Sequence, residues 1–491
     1  MDLSEVQVRP RAEDGARLRR AQRARRTLGI SPASLMLAYA DWLAHFAIAP
    51  DKHELLARKA VRQGQRLVDY AARSATGDCP PCIEPLVQDR RFSDPLWRRW
   101  PYNVIQQGFL LFQQWIHNFT TDVRGVSKHH EAVTTFVSRQ LLDMAAPSNF
   151  VATNPEVLAR AIESGGASFH AGWLNFLADW ERLAAGKPPV GADAFVVGEN
   201  VAVTPGKVVF RSRLIELIQY EPATLAVHPE PVLVVPAWIM KYYILDLSPH
   251  NSLVKYLVDR GHTVFAISWK NPTRADRDLG MDDYLRLGLM DAIDAVSAIV
   301  PGVQLHAAGY CIGGTLLAIG AAAMARDGDA RLKTVTLLTA QTDFTEPGEL
   351  GLFIDESEVT YLEDMMWEQG YLDMQRDHVA PWRSVYKLHL LTDAEITFVV
   401  AGGGHNTGVV SEPGHPRGSY RVAKRVDGGK YVDPGAYLTA ATQHEGSWWP
   451  EWQHWLVEHS GEKEVAPPTI GAPEQGLRPL GSAPGTYVLE R

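Results

Sequence analysis

The run "HAAGYCIGGTLLAIG" (306–320) sets Cys311 between Gly309 and Gly313, behind a short apolar stretch and ahead of a longer one. A strand entering a Gly-x-Cys-x-Gly turn and leaving as a helix would hold the sulfur at the apex of a sharp bend, with glycines relieving the crowding on either side. Amides at a helix start favour an anion, so they draw a thiol pKa from about 8.5 toward neutrality. The backbone N–H of Ile312 would then face the oxygen of an attacked carbonyl. The rival reading is a small apolar residue buried at a strand-to-helix junction, as cysteines often are. A nucleophile needs a base. "AEITFVVAGGGHNTGVV" supplies one, with a strand running to Val400, three glycines and then His405.

The elements that must position these groups alternate. "PVLVVP" reads as a buried strand, and "NSLVKYLVDRG" as a helix started by Asn251 or Ser252 and stopped by Gly261. A strand at Thr263–Ile267, an amphipathic helix in "MDDYLRLGLMDAIDAVSAIV", a strand in "VQLHAAG", a helix in "GTLLAIGAAAMA" and a strand in "KTVTLLTA" follow. Such alternation predicts a mostly parallel sheet with helices on both faces. The elbow resembles that of the α/β-hydrolase fold, with sulfur in place of the usual serine oxygen. In that fold the order is nucleophile, acid, histidine. "QRDHVAPW" offers Asp377 as the acid, and no strand feeds its neighbour His378. The second oxyanion donor is expected in "VPAWIMKYY", at the N–H of Ile239. His306, inside the strand ahead of the elbow, reads as a structural histidine.

Upstream the character differs. Residues 1–30 carry eight arginines and read as a mobile basic arm, and residues 31–190 read as a helical domain. "NVIQQGFLLFQQWIHNF" spaces Ile105, Phe109, Phe112, Ile116 and Phe119 by three and four, and "GWLNFLADW" repeats the pattern. Aromatic stripes of this kind usually build core, and less often a surface that docks on a hydrophobic body. "GKPPVG" (186–191) marks the boundary to a catalytic domain over 191–491.

Composition limits the rest. At 46% hydrophobic and 21% charged, the 491-residue chain has the make-up of a water-soluble globular protein. A net charge of −9 argues against a general nucleic-acid binder. Three cysteines (79, 82 and 311) fit a reducing cytoplasm better than a disulfide framework, and "DCPPC" lacks the second ligand pair of a zinc site. The first thirty residues do not read as a signal peptide. The uncharged run Ala307–Ala325 is broken by four glycines, so it reads as strand, turn and helix rather than a membrane span. No nucleotide loop or metal-ligand spacing stands out, and no metal or cofactor is expected.

"GYCIGGT", "PAWIMKYYILDLSPHNSLVKYL", "RDHVAPWRSVYK", "GGHNTGVVSEPG" and "APGTYVLER" closely resemble the class I poly(3-hydroxyalkanoate) synthases, from about residue 40 to the C-terminus. The family's catalytic cysteine, aspartate and histidine fall on Cys311, Asp377 and His405. The resemblance implies polymerisation of (R)-3-hydroxyacyl-CoA with release of CoA. It also implies residence at the surface of cytoplasmic polymer granules with granule-associated proteins, and a homodimer. One departure stands out. Family members carry a long segment between the "EDMMWERGYLD"-like and "RDHVAPW" motifs, whereas "YLEDMMWEQGYLDMQRDHVAPW" joins them directly. The cap over the site, and the strand leading into Asp377, are expected to be missing. Two other outcomes fit the same residues: a thioesterase in which water resolves the acyl-enzyme, and a granule-associated subunit with impaired chemistry.

Overall fold

A computed structural model describes residues 12–27, 29–77, 79–86, 88–372, 381–416 and 418–490. The chain divides into two compact units, Met1–Ala192 with Leu352–Asp364, and Asp193–Gly351 with Met365–Arg491.

The first unit is helical: α1 (Ala12–Arg26), α2 (Pro32–Ala47), α3 (Pro50–Ser74), α4 (Tyr102–Thr120), α5 (Lys128–Met144), α6 (Pro155–Glu163) and α7 (Ala167–Ala184). Ser31, Ser127 and Asn154 cap α2, α5 and α6 by accepting first-turn N–H groups. The part of the expected basic arm from Ala12 to Arg26 is a helix. Ala21 and Ala24 are fully buried, and Arg17 Nε lies 3.1 Å from Oδ1 of the buried Asp364. Alanines on one face made this helix dockable, and its arginines concealed that.

The aromatic stripes also differ from expectation. Helix α4 buries Gln106, Gln107, Leu110 and Leu111, while Phe112 is exposed. Gln107 explains the inward polar face. Its Oε1 accepts the N–H groups of Cys82 (2.7 Å) and Ile83 (2.8 Å), and its Nε2 donates to the Ile83 carbonyl (2.9 Å). Helix α7 buries no residue at all, and leaves Phe169, Trp173, Phe176 and Trp180 open along one face.

The second unit contains β1 (Gly206–Arg211), β2 (Ile215–Tyr220), β3 (Val232–Val235), α8 (Leu253–Val258) and β4 (Val264–Trp269). A continuous helical stretch follows, α9 (Met281–Tyr284), a π-helical turn (Leu285–Met290) and α10 (Asp291–Ile299). Next come β5 (Leu305–Tyr310), α11 (Ile312–Asp327), β6 (Leu332–Leu338) and α13 (Trp382–Tyr386), while α12 (Glu356–Gln369) begins in the first unit and ends in the second. The chain ends with β7 (Ile396–Ala401), β8 (Ser419–Arg425), α14 (Pro434–Ala440), β9 (Thr442–Glu445), α15 (Trp449–Glu458) and β10 (Gly481–Ser482).

The main sheet has the order β10-β1-β2-β4-β3-β5-β6. Strands β4, β3, β5 and β6 run parallel, and β2, β1 and β10 join antiparallel. With the strand–Cys–helix turn after β5, this is the α/β-hydrolase arrangement through its sixth strand. Side chains alternate between two cores. Val232, Val234 and Ala308 face α8 and α15, while Leu233, Val235 and Ala307 face α10 and α11. Ser252 caps α8 by accepting the Lys255 N–H at 2.9 Å, as its position before an apolar run predicts.

Strand β7 lies outside that sheet. It pairs antiparallel with β8, and β8 with β9, in a separate three-stranded sheet.

Candidate active site

Strand β5 is fully buried between β3 and β6, with Gly309 opposite both Val235 and Leu337. It delivers the chain to Cys311, whose backbone takes φ 54° and ψ −130°. A non-glycine residue in that region costs on the order of 1–3 kcal/mol and persists only where its surroundings fix it. Here they do. The Cys311 N–H donates to the Leu338 carbonyl (2.9 Å), and its carbonyl accepts from Gly314 (2.9 Å) and Thr315 (3.2 Å).

The glycines are required by space. A Cβ on Gly313 would stand 2.5 Å from the Val235 carbonyl oxygen, and one on Gly314 would stand 2.5 Å from Ala340 Cβ. Helix α11 can start directly under the sulfur only because its first turn lies on the backbone of β3. The N–H groups of Ile312 and Gly313 belong to that turn, where helix geometry provides no intrahelical acceptor.

Ile239 occupies a turn four residues beyond the end of β3, the neighbour of β5. It packs on the same core as Cys311 and Ile312. Three bonds fix the turn's ends: the Trp269 indole donates to the Pro236 carbonyl (2.7 Å), and Lys241 Nζ to Asn271 Oδ1 (2.9 Å) and the Tyr487 carbonyl (3.1 Å).

His405 follows β7 on the glycine loop. Gly403, at φ 119°, makes a turn that few other residues could make. The imidazole and the Tyr310 ring have centroids 5.8 Å apart, and Tyr310 Oη donates to Asn406 Oδ1. The structure therefore brings Cys311, Ile312, Ile239 and His405 to one end of the sheet. Asp377 and His378 lie outside the described residues. Asp343 is engaged locally: its Oδ1 accepts the Thr345 N–H (2.8 Å) and hydroxyl (2.5 Å), and the hydroxyl bond first of all holds its carboxyl below the usual range. His306 is core. Its nitrogens lie 2.7 Å from Thr334 Oγ1 and 3.1 Å from Ser460 Oγ, and burial lowers its pKa to about 4.

Sequence reasoning missed the parts that hold the histidine loop. In "GSWWPEW" the buried Trp448 indole donates to the Gly408 carbonyl (2.9 Å) and that of Trp449 to the Val409 carbonyl (2.8 Å). Trp452, on the same helix as Trp449, donates to Thr336 Oγ1 on β6 (3.0 Å). The tryptophans thus link the loop to the main sheet without a ladder between them. The doublet itself was the available signal, since two adjacent indoles rarely both face water.

The chain matches two family profiles, "Poly-beta-hydroxybutyrate polymerase (PhaC) N-terminus" over residues 88–257 and "Poly-beta-hydroxybutyrate polymerase N terminal" over residues 16–52. It is 35% identical to the poly(3-hydroxyalkanoate) polymerase of Methylorubrum extorquens, with 83% of this chain and 82% of the relative covered. It is 30% identical to the poly(3-hydroxyalkanoate) polymerase subunit PhaC of Rhizobium etli, covering 88% and 81%. The first alignment runs over 505 positions, more than the 491 residues present, so it includes residues of the relative that this chain lacks. Among solved structures, esterase B of Lactobacillus rhamnosis is 14% identical at a TM-score of 0.24, covering 42% of this chain and 66% of its own.

Proposed function

The chain belongs to the poly(3-hydroxyalkanoate) polymerases, and from that premise we propose that it polymerises (R)-3-hydroxyacyl-CoA, 3-hydroxybutyryl-CoA foremost, through a thioester on Cys311. The observation that carries this reading is the strained Cys311 backbone at the start of α11, with the His405 ring beside Tyr310.

In the first step the Cys311 thiolate adds to the thioester carbonyl, and the amides of Ile312 and Ile239 take the charge that develops on oxygen. The C–S bond to CoA breaks and CoA leaves as its thiolate. In the second step His405, with Asp377 assigned as its acid, removes the proton from the 3-hydroxyl of an incoming unit. That oxygen attacks the held acyl group, and the C–S bond to Cys311 breaks. The chain, longer by one unit and still a CoA thioester, then returns to Cys311 with loss of CoA. Sulfur is exchanged for sulfur in the carrier steps, so they are nearly balanced in energy. CoA enters on the substrate, and neither step calls for a metal or a nucleotide.

The exposed aromatic face of α7 supports a further part of the reading, that the helical unit docks on the polymer granule. No helix among the described residues is long and apolar enough to cross a membrane.

The test is brief incubation with 3-hydroxybutyryl-CoA followed by mass spectrometry of peptides. An acyl adduct on the Cys311 peptide, and loss of CoA release in Cys311→Ala, are expected. Adducts confined to Cys79 or Cys82 would overturn the assignment. Free 3-hydroxy acid with no polymer would identify a hydrolase instead.

A further inference from the structure

The loop that leaves β6 carries a set of polar groups that neither the fold nor the steps above use. Its backbone is tied to the elbow twice: the Leu338 carbonyl accepts the Cys311 N–H (2.9 Å), and the Gln341 carbonyl accepts the Thr315 hydroxyl (2.8 Å). Ala340 packs directly on Gly314. Between these ties Thr339 has φ 49°, an outlier for a β-branched residue and the second strained non-glycine residue at this edge of the sheet.

Gln341 is 1% exposed, and among the described residues neither its Oε1 nor its Nε2 has a hydrogen-bond partner. The hydroxyls of Thr339 and Thr342 are likewise buried and without a partner among the described residues. A buried polar group left in this state costs on the order of 1–3 kcal/mol, and a leucine or methionine of similar volume would avoid the cost. Each buried group of this kind calls for an explanation, and their place beside the strained turn that carries the nucleophile points to a ligand bound there.

Resting on the polymerase reading above, we propose that Gln341 is a substrate-binding residue that selects hydroxylated acyl groups at Cys311. The amide offers one acceptor and two donors, so its partner must present a donor and an acceptor a few atoms apart. A 3-hydroxyacyl unit does so: its hydroxyl donates to Oε1 and its carbonyl side accepts from Nε2. A plain acyl chain satisfies only half of the amide, and a site built to bond a hydroxyl rejects the analogue that lacks it.

The experiment compares Gln341→Met with the unaltered chain in single-turnover acylation of Cys311, using 3-hydroxybutyryl-CoA and butyryl-CoA as donors. The unaltered chain is expected to prefer the hydroxylated donor by tenfold or more. In Gln341→Met that ratio falls toward one, because the 3-hydroxybutyryl rate drops, while the melting temperature rises. An unchanged ratio in the variant would overturn the proposal alone. So would a lowered melting temperature with both rates falling in step, which would make the amide structural. An unaltered chain that acylates Cys311 with neither donor would overturn the polymerase mechanism and this inference together.

Discussion

The rings of Tyr310 and His405 lie 5.8 Å apart at 34°, although the strands that carry them, β5 and β7, belong to different sheets. Tyr310 is the last residue of β5, next to Cys311, and His405 follows the loop that leaves β7. Where a strand ladder would normally register base against nucleophile, one phenol and two indoles hold the loop instead. Tyr310 Oη donates to Asn406, and Trp448 and Trp449 donate to Gly408 and Val409.

That substitution of side chains for a ladder predicts the behaviour of Tyr310→Phe. The ring and its packing stay, and only the bond to Asn406 goes, at about 1 kcal/mol of stability. Misplacement of a base costs far more in rate than in binding. The expected result is a kcat lowered about tenfold at nearly constant KM, measured by CoA release. A kcat equal to that of the unaltered chain would show that the indoles alone suffice.

The elbow was legible because its requirement is local. Gly309, Cys311, Gly313 and Gly314 lie within six residues, and each glycine answers to a neighbour in the adjacent turn or strand. The loop clamp was not legible, because Trp448 and Gly408 are forty residues apart and meet only through tertiary packing. Periodicity also misjudged α4, where Gln107 is buried by bonds to the Cys82–Ile83 backbone that no hydropathy pattern contains. On α1 the arginines masked a stripe of alanines. In each miss a partner distant in sequence decided the outcome.

The same substitution should have opposite signs at two glycines. Gly313→Ala drives a methyl into the carbonyls of Val235 and Pro236, so α11 must back away from β3. Overpacking of this kind costs about 1–3 kcal/mol or more, and it also moves the sulfur. Gly64→Ala, in α3 with nothing within 4 Å of the new carbon, should gain roughly 0.5–1 kcal/mol of helix propensity. Thermal melts of the two variants check this. A gain at Gly313 would mean that the elbow is looser than its contacts indicate.

Acid should unfold the second unit from a definite pH downward. Burial, the largest cause in each case, lowers His262 to about 3 and His306 and His389 to about 4. Unfolded, each takes up a proton near pH 6.5. The folded state then binds fewer protons, so stability is full above about pH 6.5 and is lost as pH falls toward the folded values. Each histidine contributes about 1.4 kcal/mol per pH unit within that window. Urea melts at pH 7.5, 6.5, 5.5 and 4.5 should show the decline starting near 6.5. In His262→Leu, which removes two ring nitrogens without partners among the described residues, the slope should be shallower and the stability at pH 7.5 no lower. A flat profile down to pH 4.5 would contradict the argument.

The last prediction concerns the outer edge of β6. This strand pairs with β5 on one side, and among the described residues no strand pairs with the other. An acid can orient its histidine only if something carries it to the same edge of the sheet. Here "GYLDM" enters the Asp377 region directly, and β7 has turned to β8 for its ladder. A histidine without a properly placed acid takes the wrong tautomer or orientation, which in comparable triads lowers kcat by about 10⁴. Inserting the corresponding segment of the Methylorubrum extorquens polymerase between Gly370 and Pro381 should therefore raise steady-state CoA release by at least about tenfold. Acylation of Cys311 in a single turnover should gain less, because the thiolate is favoured by α11 itself. Equal turnover in the two proteins would mean that the chain already orients His405. Asp343 is then the carboxylate to remove, and Asp343→Asn would have to abolish turnover despite the two bonds that tie Asp343 to Thr345.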